Sequence, residues 1–126
     1  HVLDCLDGYF KYVEALVAAD KVLPNALNFG PQLYSSAVTV GALTNGLMRS
    51  MGCQPTLAKS VKGGAHEMVT LSIDPSLASR SLNWEPCLTG DATLQLTAEW
   101  YGSFMAGKNM KKITDNQINN YRGAAQ

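Results

Sequence analysis

Several catalytic signatures are missing from this sequence, and each absence removes a class of function. His66 and Glu67 are followed by Met68-Val69-Thr70, so His-Glu-x-x-His is not completed. A zinc protease would lack its second imidazole one helical turn on. No Gly-x-Ser-x-Gly elbow presents a hydrolase nucleophile. The chain has two histidines, His1 and His66, so a Ser-His or Cys-His pair inside the chain could be built only on His66. None of the eleven glycines forms Gly-x-Gly. The close backbone approach that a dinucleotide pyrophosphate needs is therefore lacking. Nor does any tyrosine stand four residues before a lysine, the helical spacing of a lysine-perturbed acid/base.

Cysteine is scarce as well. Cys5, Cys53 and Cys87 are odd in number, far apart and form no Cys-x-x-Cys. That pattern argues against a disulfide framework or zinc ribbon and suits a reducing cytoplasm. No apolar run approaches the ~18 residues of a membrane span, and no signal-peptide pattern opens the chain. Ten basic residues balance ten acidic ones, so no net field draws in nucleic acid or an anionic membrane. The local basic run Lys108, Lys111 and Lys112 reads as a solvated helix end or loop.

What is present suits one globular domain over residues 1–126, with 46% apolar and 16% charged residues. The chain opens at His1 directly on an apolar-periodic segment, which suggests a cut end. Leu3, Leu6, Phe10, Val13 and Val17 predict an amphipathic helix over 4–19, with Asp4 and Asp7 favourable near its positive end. The run 26–30, closed by Gly30-Pro31, predicts a buried strand. A second helix is capped by Ser36, carries Val40, Leu43, Leu47 and Met51, and stops at Gly52. Val69, Leu71 and Ile73 alternate with Met68, Thr70 and Ser72, predicting a half-buried strand. Asp74-Pro75 then opens a short helix that ends near Asn83. Leu94, Ala98, Tyr101 and Met105 mark another, stopped by Gly107. For the last, Thr114 and Gln117 have capping-box spacing, with Ile113 and Ile118 as staple, predicting a helix over about 115–122. The expected fold class is mixed α/β, with about five helices and two to four short strands.

His66 and Glu67 have two readings. One is a polar strand entrance, solvated or satisfied by nearby backbone. The other is a ligand contact, since a carboxylate accepts from vicinal hydroxyls and an imidazole donates to phosphate or base.

In order along the chain, "HVLDCLDGYFKYVEAL", "LNFGP", "AHEMVTLSIDPSLASRSLNWEP", "LTAEWY" and "ITDNQINNY" resemble the C-terminal region of the CDP-glucose 4,6-dehydratases. These are a branch of the extended short-chain dehydrogenase/reductase superfamily. The resemblance implies an enzyme that, with tightly held NAD, converts a CDP-hexose to its 4-keto-6-deoxy product. It also implies that the Gly-rich loop and tyrosine–lysine pair of the family lie outside this chain. NAD then belongs to the complete enzyme, and no cofactor is expected on this chain alone. On that basis 2–18 flanks the nucleotide-binding sheet and Asn28 to Pro31 form its last strand and exit turn. Glu67 meets the ribose hydroxyls, and His66 is a second contact. Lys62 stands in for a diphosphate arginine expected near Gly64. Tyr101 and the last helix are packing elements. Ala65 replaces the usual proline and Asn83 the usual glycine. No catalytic or metal-binding residue is implied. The expected function is the nucleotide-sugar-binding portion of such an enzyme, inactive alone. The alternative is a free-standing, non-catalytic module derived from it. Leu3, Leu6, Phe10 and Val13 would then form a self-association or partner surface.

Overall fold

The computed structural model describes residues 1–32, 39–54, 72–88 and 90–124. They contain five helices: α1 (Val2–Ala18), α2 (Val40–Ser50), α3 (Ser76–Leu82), α4 (Gly90–Met105) and α5 (Met110–Ala124). No strand occurs among the described residues, so the expected mixed α/β class is corrected to a helical one. The physical reason is that a strand exists only with a ladder partner, which no local apolar pattern can supply. The predicted strand at 26–30, with the sheet exit at 31, is irregular. Its apolar content is used for ring packing instead. Phe29 meets Tyr9 edge-on with centroids 5.3 Å apart and Trp84 edge-on at 5.0 Å. The strand expected around 69–73 enters the described residues only at 72 and 73, which are irregular, and its remainder lies outside them.

The chain divides into two compact units. The first comprises 1–35, 72–89 and 121–126; the second comprises 36–71 and 90–120. In the first, α1 begins with a capping box in which His1 and Asp4 exchange side-chain-to-backbone hydrogen bonds. It ends at Ala19 in the left-handed region, with φ 50°. Its Gly8 lies under the Phe29 ring so closely that a Cβ there would fall 2.3 Å from a ring carbon. Short α3 packs on α1 and stops at Asn83 with φ 50° and ψ 43°, as its tolerance of that conformation predicts. Asp74 does help to start α3, accepting from the Ser76 N–H at 2.8 Å, although Pro75 occupies the cap position.

In the second unit α2 packs against α4. Thr39 caps α2 by accepting from Ala42 N–H at 3.1 Å, a role the sequence pattern gave to Ser36, which lies outside the described residues. Gly46 admits the Leu94 side chain, which would approach a Cβ to 2.7 Å. α5 starts earlier than its capping-box spacing suggests. Asn109 Oδ1 accepts from Lys112 N–H at 3.1 Å, and Thr114 sits inside the helix. Thr114 Oγ1 instead accepts from the Trp100 indole at 3.1 Å. Buried Gln117 donates to the Leu96 carbonyl and to Glu99, each at 3.0 Å. Tyr101 is half exposed, beside Trp100.

Candidate functional site

Lys62, His66 and Glu67, the residues singled out from the sequence as ligand contacts, all lie outside the described residues. The described part of the first unit contains two polar features of its own. One is the surroundings of Asp4. At the third position of α1 it is 3% exposed. Its Oδ1 accepts from the Cys87 N–H at 2.9 Å, the Leu88 N–H at 3.4 Å and the Tyr121 hydroxyl at 3.1 Å. Its Oδ2 lies 3.5 Å from the α-amino group of His1. One carboxylate thus ties the first turn of α1 to the segment after Trp84 and to the last turn of α5.

The neighbours of Asp4 hold their protons tightly. Burial pushes the Tyr121 phenol well above its ordinary value, with the Cys87 thiol and the Asp4 charge acting in the same direction. Burial likewise pushes the Cys87 thiol up, against an opposing hydrogen bond with Tyr121. All three cysteines are free thiols. A protonated, raised-pKa thiol is a poor nucleophile, and the cluster reads as a structural tie.

The second feature is a groove of about 370 Å³. Gln32, Ser76, Ser79, Arg80 and Glu85 supply its polar lining, with Pro75, Trp84 and Pro86 as apolar walls. Gln32 Nε2 lies 3.5 Å from Glu85 Oε2. Asp74, beside the groove, is held below the usual carboxylate range by the Ser76 hydroxyl and backbone N–H, with a smaller contribution from Arg80. Trp84 is 1% exposed, and its indole Nε1–H has no acceptor among the described residues. Such a buried orphan donor costs about 1–3 kcal/mol. The groove had no sequence signal, because its lining comes from residues 32, 75–80 and 84–86, which only the fold brings together.

Among the described residues no group of three or more His, Cys, Asp or Glu side chains is placed to hold a metal. No described helix is long and apolar enough to cross a membrane. Lys108, Lys111 and Lys112 are exposed, and Lys111 pairs with Asp115 along α5 at 2.5 Å.

The resemblance seen in the ordered motifs is supported by comparison with known proteins. The chain is 26% identical over 124 residues to CDP-glucose 4,6-dehydratase of Salmonella typhimurium (strain LT2). The match covers 98% of this chain and 34% of that protein, so the chain spans about a third of its relative's length. No family model matches the chain. No solved structure matches it.

Proposed function

We propose that this chain is the nucleotide-sugar-binding portion of an enzyme like CDP-glucose 4,6-dehydratase. The observation that carries this reading is a similarity running through 98% of the chain, not confined to one motif. Glu67 would accept from the ribose hydroxyls, His66 would donate to the nucleotide, and Lys62 would offer a point charge to the diphosphate. The ligand is a CDP-hexose, and the setting is cytoplasmic. NAD would supply the redox step in the complete enzyme, held by parts outside this chain. The chain alone is then inactive.

Calorimetric titration of CDP-glucose into the chain tests the contacts. Weak binding is expected, and Glu67→Ala should reduce it by about 1–3 kcal/mol, the cost of losing a charge-assisted hydrogen bond. Equal affinity in the variant would remove Glu67 from the site. Turnover of CDP-glucose by the isolated chain with added NAD would overturn the view that it is a binding portion only.

A second reading is favoured by the surface of α1. Phe10 is 66% exposed, Val13 55% and Val17 80%, a long apolar face that the described residues leave uncovered. Faces of this kind mark self-association or a protein partner. The chain would then be a non-catalytic interaction module descended from such an enzyme, forming a homo-oligomer through α1.

A further inference from the structure

The groove beside Trp84 brings a cation, an anion, hydroxyls and apolar walls together within one compact unit. Its volume of about 370 Å³ lies at the small end of the ~300–1,000 Å³ range of ligand pockets. The lining narrows the chemistry of an occupant. Arg80 can only donate hydrogen bonds, and ionised Glu85 can only accept them. A ligand with net charge of either sign would meet one of these groups as a like charge. A neutral ligand rich in hydroxyls meets neither difficulty, since each hydroxyl both donates and accepts. Ser79 adds a hydroxyl to the lining, while Pro75 and Pro86 offer apolar surface to ring C–H groups.

Trp84 provides an independent observation. Its indole Nε1 is buried without a hydrogen-bond partner among the described residues, although the residue lines the groove. Native proteins seldom leave such a donor unmet, and each case asks for an explanation. We propose that this groove binds a small neutral polyol of monosaccharide size. Its hydroxyls donate to Glu85 and accept from Arg80, against the apolar wall that Trp84 provides. The site is separate from Lys62, His66 and Glu67 and does not depend on the role given to them.

The test uses the full 126-residue chain labelled with nitrogen-15. Its two tryptophans give two indole signals. Trp100 lies in the other unit with its indole bonded to Thr114, and therefore serves as the internal control. D-glucose is added up to ~100 mM, enough to saturate a site of millimolar affinity. The Trp84 signal is expected to move saturably while that of Trp100 stays. Arg80→Gln and Glu85→Gln, both at exposed positions, should each weaken the response about tenfold or more, as the loss of a charge-assisted hydrogen bond does. A Trp84 signal indifferent to glucose would overturn the proposal. So would parallel movement of both indoles, an equal response to inorganic phosphate, or undiminished binding by both variants.

Discussion

The carboxylate of Asp4 accepts from groups 83, 84 and 117 residues away along the chain. Its position in the first turn of α1 was legible, because an acidic residue there suits both the helix dipole and the capping box. Its distant partners were not legible, since nothing local to Cys87 or Tyr121 marks them as donors to a helix start. Replacing Asp4 with Ala leaves the buried Tyr121 hydroxyl and the part-buried Cys87 and Leu88 N–H groups without their acceptor. Asp4→Ala is expected to cost about 3 kcal/mol or more, and Tyr121→Phe about 1–2 kcal/mol, read as shifts in urea midpoint. Because the two share one hydrogen bond, their effects should add to more than the double variant loses. The same cluster sets a pH response. The Tyr121 phenol and Cys87 thiol both bind their protons more tightly folded than unfolded. Their contribution is complete below the unfolded values of 9.0 for the thiol and 10.0 for the phenol, and is lost as pH rises beyond them. Melting temperature should therefore fall more steeply above those values in the parent chain than in Tyr121→Phe, and equal slopes would contradict the placement of the phenol.

At the scale of elements, helix stops were easier to read than helix starts. Asn83 has φ 50°, Gly52 71° and Gly107 66°, and all three follow helices at the places their conformational freedom suggests. A stop of this kind is a property of one residue. A cap depends on which of several neighbouring side chains turns inward, and so α5 begins after Asn109 while Thr114 is engaged by Trp100. Strands depend on partners remote in sequence, which explains why the run ending in Phe29-Gly30 could be recognised as apolar but not as irregular. The ring of Phe29 gives α1 a test of close packing. Gly8→Ala gains helix propensity of about 1 kcal/mol but places a methyl group 2.3 Å from that ring. Overpacking should win, for a net loss of about 1–2 kcal/mol. Gly102→Ala in α4 meets nothing within 4 Å and should gain about 0.5–1 kcal/mol. Thermal or urea unfolding of the two variants distinguishes contact from propensity, and changes of the same sign would refute the packing described for Gly8.

For the whole molecule, the balance between interior and surface is the informative quantity. The described buried apolar residues are Ala78, Trp84, Ala98 and Tyr121, of which two are alanines. Large apolar side chains meanwhile lie open along α1, among them Val2, Leu6, Tyr9, Phe10, Val13, Leu16 and Val17. A surface helix of a self-contained domain normally shows a polar outer face, whereas one apolar around much of its girth belongs in an interior or an interface. The chain also spans only 34% of the dehydratase it resembles, so both readings of its function leave α1 in need of cover. Free in solution, further copies of the chain can supply that cover. Sedimentation equilibrium is therefore expected to give a mass above the 13.5 kDa of one chain, rising with concentration. Phe10→Asp together with Val13→Asp should restore the single-chain mass, because each substitution charges the face at an exposed position and disturbs no described core residue. Circular dichroism separates this from unfolding: the parent must keep its helical signal while it associates, and the double variant must match it. A chain that stays single at every concentration, with that signal intact, would show that the open face of α1 is tolerated in water and that cover is not what it lacks.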